Sequence, residues 1–256
     1  MEYKENGDRG NMEQDCFYDS IADYFDLIFP LNGKQVDFCA LEFGQLDNFY
    51  FLDAGCSTGK LANELAEKGA LGIGIDLNGE MIRLARERYS SVSLIFRKMS
   101  MLYIQDVFPS DYLDGIICFG NTLVHLNSQD EIRKFLKRCF SVLKPGGKLL
   151  VQILNYDYIF QNKVTELPPI ENDEVRFVRN YVLPVTGGGK IRFETELLVK
   201  PDNRFFSDAV LLTPVRKAEV EKMLLLAGFT DVCFYAGFDK APFTGSHLPL
   251  IVTARK

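Results

Sequence analysis

The strongest indication of the fold is a regular alternation of short apolar runs and amphipathic helical patterns from residue 48 to residue 154. The apolar runs have the length and composition of buried strands and lie at residues 51–52, 71–75, 92–96, 115–119 and 148–153. Between them, apolar residues recur at helical spacing, as at Leu61 and Leu65 or at Ile132 and Leu136. Strands that alternate with helices form βαβ units. We therefore expect a parallel sheet covered by helices on both faces.

The pattern changes after residue 154. Lys144-Pro145-Gly146-Gly147 ends one helix and allows a tight reversal into the last strand of the regular part. Beyond Pro168-Pro169, three extended segments at 175–183, 191–199 and 204–212 are joined by turns, one of them at residues 187–189. A helix at 215–227 that ends at Gly228, and strands near 232–234 and 250–253, then complete the sheet.

These elements predict an α/β, Rossmann-like, doubly wound fold with a mostly parallel seven-stranded sheet and an antiparallel β insertion. We divide the chain into a helical amino-terminal cover (1–45), a ligand-binding α/β core (46–154), the insertion (155–213) and the completion of the core (214–256). In the cover, Ile21, Tyr24, Phe25 and Ile28 fall on one helical face. The insertion is expected to be a lid or an oligomer-contact element.

Composition narrows the classes of partner. Hydrophobic residues make up 47% and charged residues 25% of the 256 residues, as in an ordinary globular protein. The formal net charge is −6 and no long basic run is present, which argues against a nucleic-acid partner and favours a small molecule. No targeting segment or membrane span is evident, so a cytoplasmic location is the default expectation.

The cysteines and histidines do not suggest a metal site. The six cysteines include no C-x-x-C pair, and the chain has only His125 and His247. We interpret the cysteines mainly as small buried hydrophobic residues. They are Cys16, Cys39, Cys56, Cys118, Cys139 and Cys233.

The most informative motif is the run from residue 51 to residue 59, Phe-Leu-Asp-Ala-Gly-Cys-Ser-Thr-Gly. An apolar strand runs into an acidic residue and a small-residue turn that opens a helix, and such a turn can bring backbone N–H groups close to a ligand. A phosphate-binding P-loop is disfavoured, because only three residues separate Gly55 from Gly59 and Leu61 follows Lys60. The dinucleotide fingerprint also fails, because Ser57 replaces its second glycine.

The motif resembles that of the class I S-adenosylmethionine-dependent methyltransferases. Their first motif is an acidic residue followed by three glycines at alternate positions. Asp53, Gly55 and Gly59 match it, Cys56 lies within it, and Ser57 departs from it at the middle glycine.

The resemblance extends to the loops after the second and third strands. It implies that Asp76, at the end of the second strand, binds the two ribose hydroxyls of the cofactor, with Leu77 and Met81 beside the adenosine. A carboxylate suits this role because it accepts charge-assisted hydrogen bonds. After the third strand, Lys98 stands where the family holds the adenine with an acidic side chain, and Met99 or Ser100 is the best substitute; a solvated turn is the alternative for Lys98.

The segments after the fourth and fifth strands are similar to the glycine N-methyltransferase branch. Gly-Asn-x-x-x-His-Leu at residues 120–126 and Asn-Tyr-Asp at residues 155–157 carry this likeness. It implies that the Gly120 carbonyl and Asn121 orient an amine acceptor near the methyl group, with Tyr156 as a further orienting residue. Phe119 and Gly120 would also contribute to the cofactor side. His125 would lie near the methionine moiety or the substrate, or serve as a base.

Alternatives remain for several of these residues. His125 can also be a buried histidine bonded to backbone, and residues 155–157 can be an ordinary turn at the end of a strand. Tyr18 and Tyr24 resemble the aromatic amino-terminal helix that covers the cofactor, although core packing explains them as well. In the insertion, Arg176, Arg179 and Arg192 are either solvated lid residues or include a clamp for a substrate carboxylate.

The functional prediction is an S-adenosylmethionine-dependent methyltransferase that produces S-adenosylhomocysteine and acts on a small-molecule acceptor, with nitrogen slightly favoured. The alternatives are a cofactor-binding regulatory module without methyl transfer and a nucleic-acid methyltransferase.

Overall fold

A computed structural model describes residues 18–19, 21–185 and 189–256. The α-helices are α1 Phe25–Ile28, α2 Gly33–Phe43, α3 Lys60–Glu67, α4 Gly79–Tyr89, α5 Ile104–Val107, α6 Gln129–Val142, α7 Tyr156–Gln161 and α8 Lys217–Ala227. The strands are β1 Tyr50–Ala54, β2 Leu71–Asp76, β3 Leu94–Lys98, β4 Leu113–Cys118, β5 Leu143–Leu154, β6 Glu166–Glu171, β7 Val175–Val182, β8 Ile191–Val199, β9 Arg204–Leu212, β10 Thr230–Tyr235 and β11 Pro249–Arg255. Short 3-10 helices cover Ala22–Tyr24, Met101–Tyr103 and Thr122–His125.

The larger sheet has seven strands in the order β10-β11-β5-β4-β1-β2-β3. The pairs among β1 to β5 are parallel, whereas β11 is antiparallel to both β5 and β10. This arrangement confirms the predicted fold class. Four successive residues of β4, from Gly115 to Cys118, are buried, as expected for a strand covered on both faces.

Three of the helices that cover this sheet have well-defined caps. Asn78 caps α4 by accepting the Met81 N–H at 2.9 Å, and Ser128 caps α6 by accepting the Glu131 N–H at 3.2 Å. Gly228 ends α8 with a φ of +106°, as the sequence predicts.

The insertion forms a second, antiparallel sheet in the order β6-β7-β8-β9. The three predicted segments correspond to β7, β8 and β9. The fourth strand, β6, was not predicted, because it contains Pro168-Pro169. The two prolines are tolerated because β6 lies at the edge of the sheet and pairs only with β7. Missing N–H donors cost little in such an edge strand.

The amino-terminal segment differs from the prediction of one amphipathic helix. It consists of the short 3-10 helix and α1, with Ile21 and Ile28 buried and Tyr24 and Phe25 half-buried. The longer α2 follows it and was not predicted.

Several smaller predictions require correction. β3 begins at Leu94 and includes Lys98, so Lys98 ends a strand and is not a turn residue. β5 begins at Leu143, and the reversal at residues 144–147, with φ +83° at Gly146, produces an irregularity in its pairing with β4. Cys233 is exposed, whereas Cys39, Cys56, Cys118 and Cys139 are buried as expected; Cys16 and residues 187–188 lie outside the described residues.

One large apolar core includes residues of both sheets. Ile116 and Val151 of the large sheet belong to the same buried cluster as Phe177, Leu197 and Val210 of the insertion. The insertion therefore packs on the core through its own buried face. In the part of the chain that the structure describes, no helix is long and apolar enough to cross a membrane.

Candidate active site

The loops that follow β1, β2, β4 and β5 meet at one edge of the large sheet. β1 lies between β4 and β2, so successive crossovers leave it toward opposite sides. Parallel α/β sheets bind ligands at such a switch point, because the diverging loops leave a crevice. Asp53, Gly55, Asp76, Asn121 and Tyr156 all lie in or beside these loops.

The loop after β1 turns through left-handed backbone at alternate residues. The φ angle is +83° at Gly55, +46° at Ser57 and +85° at Gly59. Packing also requires the two glycines: an added Cβ on Gly55 would lie 2.3 Å from Thr122, and one on Gly59 would lie 2.6 Å from the Phe96 ring. The predicted tight turn is therefore present, and Ser57 occupies a backbone region that favours glycine.

The N–H groups of this loop are donated within the fold. Gly55 and Cys56 both donate to the Ile75 carbonyl, at 2.8 and 3.0 Å, and Gly59 donates to the Cys56 carbonyl at 2.9 Å. The Ser57 N–H donates to the Asp76 carboxylate at 3.0 Å. Acceptors at the end of β2 and in the turn itself therefore engage these four N–H groups.

Asp76 ends β2 with a partly exposed carboxylate. One oxygen accepts the Ser57 N–H, and the other accepts the Asn78 N–H at 2.9 Å. A carboxylate has about four lone-pair sites, so it can accept several hydrogen bonds at once. These two bonds fix the carboxylate beside the glycine-rich turn.

Asp53 lies one strand away, near the end of β1, and is only 3% exposed. Burial, together with the negative charge of Asp76, raises the pKa of Asp53 to about 7. A bound cation would favour ionised Asp53 over its protonated form. The pair of carboxyl groups therefore makes this edge of the sheet suited to a positively charged ligand.

The residues predicted to surround the adenosine follow the ends of β2 and β3. Met81 is buried with Ala22 and Leu84, and Leu77 is half-buried. The Met99 N–H donates to the Asp76 carbonyl at 2.9 Å, so the Met99 N–H is not available to an adenine. Ser100 caps the 3-10 helix Met101–Tyr103 by accepting the Leu102 N–H.

The loop after β4 is held against β5. Gly120, with φ +72°, donates its N–H to the Gln152 side chain at 2.7 Å. Asn121, with φ +63°, accepts the Leu154 N–H on its side-chain oxygen at 3.0 Å. The Phe119 side chain points away from the loop into an aromatic cluster with Phe38 and Phe238.

Tyr156 joins this loop to the start of α7. Its hydroxyl lies 3.1 Å from Asn121 Nδ2, and its ring is fully buried, which raises the pKa of the phenol well above its usual range. Asn155 caps α7 and donates from Nδ2 to the carbonyls of Gly245 and His247, at 2.9 Å each. Residues 155–157 thus combine a turn with one side chain, Tyr156, aimed at the loop after β4.

His125 ends the 3-10 helix that follows Asn121. Its Nε2 lies 3.2 Å from the Tyr18 hydroxyl, and its buried Nδ1 has no hydrogen-bond partner among the described residues. Burial lowers the pKa of His125 to about 4. The imidazole is therefore neutral at physiological pH.

The amino-terminal cover is bonded to three of these loops. Besides the Tyr18 contact, Asn78 donates to Asp19 at 2.8 Å, and Thr58 of the glycine-rich loop donates to Asp26 at 2.6 Å. Asp26 also pairs with Arg88 at 2.7 Å and with Lys60 at 3.4 Å. The cover therefore closes over the crevice through polar contacts.

Tyr24 of the cover contacts the insertion. Its ring lies 6.0 Å from that of Phe206 and beneath the Arg204 guanidinium, so it contacts β9 of the insertion. The cover residue that touches the glycine-rich loop is Asp26, which was not predicted. An acidic residue within an aromatic amphipathic segment is the only sequence signal for it.

Comparisons with known proteins agree with this geometry. Residues 51–147 match a family described as a methyltransferase domain. A glycine/sarcosine N-methyltransferase from Aphanothece halophytica is 31% identical over 199 residues, which cover 74% of this chain and 69% of that protein.

Two solved structures share the fold. An S-adenosylmethionine-dependent methyltransferase from Clostridium acetobutylicum superposes with a TM-score of 0.75 at 18% identity, covering 93% of this chain and 98% of the other. CalS10, an amino pentose methyltransferase from Micromonospora echinaspora solved with S-adenosylmethionine bound, has a TM-score of 0.62 at 19% identity and covers 99% of this chain and 100% of its own.

Proposed function

Because this chain belongs to the class I S-adenosylmethionine-dependent methyltransferases, we propose that it methylates a nitrogen atom of a small-molecule acceptor. The observation that carries the proposal is the polar cluster of Asn121, Tyr156, His125 and Tyr18 beside the glycine-rich turn. The name of the Aphanothece halophytica relative, a glycine/sarcosine N-methyltransferase, also favours nitrogen.

The residues at the sheet edge fit this cofactor. Its sulfonium and ammonium groups are cationic, and the buried carboxyl of Asp53 beside Asp76 favours cations. Its ribose has two hydroxyls, and the Asp76 carboxylate is a hydrogen-bond acceptor held at the end of β2 by the N–H groups of Ser57 and Asn78. Gly55 packs against Thr122, so the turn lies close to the loop after β4.

When bound, S-adenosylmethionine supplies a methyl group on a sulfonium, which is already a good leaving group. The chain therefore has to orient the acceptor and exclude water. We assign the orientation to Asn121, whose amide plane is fixed by the Leu154 N–H and by the Tyr156 hydroxyl. The Gly120 carbonyl would accept from the same amine, and the cover formed by Tyr18 and Asp26 would keep water out.

The low basicity of His125 favours a nitrogen acceptor over an oxygen acceptor. A neutral amine attacks with its own lone pair, whereas a hydroxyl needs a base to remove its proton during attack. Burial lowers the pKa of His125 to about 4, which makes it a weak base at neutral pH. The imidazole would therefore position Tyr18 and the acceptor, and proton loss from the methylated amine would not depend on it.

The small size of the acceptor is inferred from charge and enclosure. The net charge of −6 disfavours a nucleic-acid substrate. The cover and the insertion both pack over the crevice, as the Tyr24 contact with Phe206 indicates. An acceptor bound there would be surrounded by protein and would have to be small.

Formation of S-adenosylhomocysteine tests the proposal. The full chain would be incubated with S-adenosylmethionine and with matched pairs of primary amines and the corresponding alcohols. We expect product with at least one amine and much less with its alcohol. Product with alcohols alone would contradict the choice of nitrogen, and tight cofactor binding without product from any acceptor would favour a non-catalytic binding module.

A further inference from the structure

Arg179 and Thr195 are two polar residues on the otherwise apolar inner face of the insertion. We define the inner face by its buried residues Phe177 and Tyr181 of β7, Leu197 of β8 and Val210 of β9, which pack into the core. Side chains alternate across a strand, so Arg179, between Phe177 and Tyr181, lies on this face. Its partner across the sheet is Thr195.

Arg179 is incompletely bonded. Its Nη2 donates to the Pro168 carbonyl of β6 at 2.7 Å, whereas its buried Nε has no hydrogen-bond partner in the described part of the chain. Burial lowers the pKa of this guanidinium, although it remains charged. A buried cationic N–H without an acceptor is costly, and natural structures rarely leave one unpaired.

The other arginines of the insertion are paired with carboxylates. Arg192 lies 2.8 Å from Glu194, and Arg176 lies 3.7 Å from Glu171, with both arginine side chains more than half exposed. Arg204 lies 2.7 Å from Asp202. In each pair the carboxylate also belongs to the insertion, so the charge of the arginine is already balanced without a bound anion. Arg179 differs from them in burial, in the face it occupies and in its missing partner.

Tyr181 connects Arg179 to the candidate active site. Tyr181 lies two residues further along the same face. Tyr181 and Tyr156 belong to the same buried cluster, and Tyr18 packs against that cluster. Tyr18 and Tyr156 are bonded to His125 and Asn121, so the face that carries Arg179 packs on the same core as the polar side chains of the candidate site.

We propose that Arg179 binds an oxyanion of the methyl acceptor, a carboxylate or a phosphate, and so selects anionic amines. This inference rests on the proposed function and adds the substrate class to it. A planar guanidinium presents parallel N–H groups that suit such oxygens, and Nε supplies the donor that the fold leaves unused. A lysine in its place would keep the charge and lose that paired geometry.

The test measures binding of acceptor probes to the full chain saturated with S-adenosylhomocysteine. Calorimetry would compare glycine with glycinamide, 2-aminobenzoate with 2-aminobenzamide, and glucosamine 6-phosphate with glucosamine. The first two pairs isolate a carboxylate, and the third isolates a phosphate. The variants are Arg179→Gln, Arg179→Lys and, as a matched control, Arg176→Gln.

We expect at least one anionic probe to bind about 10- to 100-fold more tightly than its neutral partner. Arg179→Gln should abolish this difference, Arg179→Lys should retain part of it, and Arg176→Gln should leave it intact. Affinity for S-adenosylhomocysteine should stay unchanged in all three variants. If Arg179→Gln does not fold, the partial loss in Arg179→Lys decides the question.

Two results would overturn the inference. One is that no anionic probe is preferred over its neutral partner, and the other is that the preference survives in Arg179→Gln or, where only it folds, is undiminished in Arg179→Lys. Failure of the wild-type chain to bind S-adenosylhomocysteine at the outset would instead count against the proposed function. The two failures are therefore distinguishable.

Discussion

At the scale of single residues, the candidate site contains two carboxyl groups, one near the end of β1 and one at the end of the neighbouring strand β2. Asp53 is buried and lies close enough to Asp76 for the charge of Asp76 to raise its pKa further. Two neighbouring negative charges repel each other and destabilise the ligand-free protein. A cationic ligand would offset this repulsion when it binds. We therefore regard Asp53 as a residue that favours ligand binding over stability of the ligand-free protein.

Asp53 should make the ligand-free protein less stable as the pH rises. Its pKa is about 7 in the folded protein against an ordinary value of 3.8, so folding takes up a proton between these pH values. The stabilising contribution is complete below about pH 4 and is lost as the pH rises through 7. Between pH 5 and pH 8, the free energy of unfolding of the wild type should fall by roughly 2–4 kcal/mol more than that of Asp53→Asn. Denaturant unfolding at the two pH values checks this, and parallel pH dependences would contradict it.

Ser57 should be the residue in the glycine-rich turn whose replacement stabilises the protein. Its φ of +46° is costly for a residue with a Cβ, and Ser57→Gly removes that cost while keeping the N–H bond to Asp76. After the extra entropy of glycine in the unfolded chain, the expected gain is about 0.5–1 kcal/mol, measured by thermal unfolding.

Ser90→Gly is the matched control for Ser57→Gly. Ser90 is exposed and has a φ of −61°, so glycine relieves no strain there and should destabilise the protein by about 0.5–1 kcal/mol. Equal effects of the two substitutions would show that the left-handed backbone at Ser57 carries no strain.

Residue types in the loops could be predicted from the sequence, whereas their partners could not. The strand, acid and small-residue turn around Asp53 specify the loop, and the acid after β2 specifies Asp76. Nothing local indicates that the Ile75 carbonyl accepts two loop N–H groups, or that the Met99 N–H is engaged by Asp76. These bonds join strands that are distant in sequence, so they require the sheet order.

At the scale of elements, the amino-terminal cover is held down by Asp26. Its side chain is 15% exposed and contacts the glycine-rich loop, α3 and α4 through Thr58, Lys60 and Arg88. A partly buried carboxylate with two cationic partners and a hydroxyl donor should be a strong link. The cover would then have to release this link before a ligand could leave.

Asp26→Asn should therefore speed the exchange of S-adenosylhomocysteine. Removing the charge weakens the pairs with Arg88 and Lys60, and we expect the dissociation rate to rise roughly 5- to 50-fold. Stopped-flow measurement of dissociation checks this. Asp23→Asn, on an exposed side chain of the same segment, is the control and should leave the rate unchanged. Equal rates in wild type and Asp26→Asn would contradict the role of the cover.

The helices and strands differ in how well they can be predicted from the sequence. β8 and β9 have the predicted boundaries because their apolar alternation is strong. β6 cannot be predicted locally because it contains Pro168-Pro169, and it forms a strand only by pairing with β7. For α2 a signal was present, since Asn32 and Gln35 form a capping box with the spacing expected at a helix start.

At the scale of the whole molecule, the two sheets share one core. Tyr156, Phe177 and Leu197 belong to the same buried cluster as Ile116 and Val151. We propose that residues 155–213 are a lid element of the catalytic domain and fold together with it. An independent domain would need its own closed core.

Hydrogen exchange should show this shared stability. In native-state exchange under denaturant, the slowest amides of β7 and β8 should converge on the same free energy of opening as those of β4 and β5, within about 1 kcal/mol. Cooperative opening of the small sheet at a clearly lower free energy would show that the insertion unfolds separately. The comparison uses the full chain without ligand.

The account as a whole depends on Asp76 holding the cofactor at the carboxyl edge of the sheet. Calorimetric titration with S-adenosylhomocysteine of the wild type, Asp76→Ala and Asp114→Ala tests this; Asp114 lies at the opposite edge, bonded to the Tyr50 N–H and to Lys144. We predict binding by the wild type, a loss of about 1–3 kcal/mol in folded Asp76→Ala and no change in Asp114→Ala. Unchanged affinity in folded Asp76→Ala, or no binding by the wild type, would contradict the account.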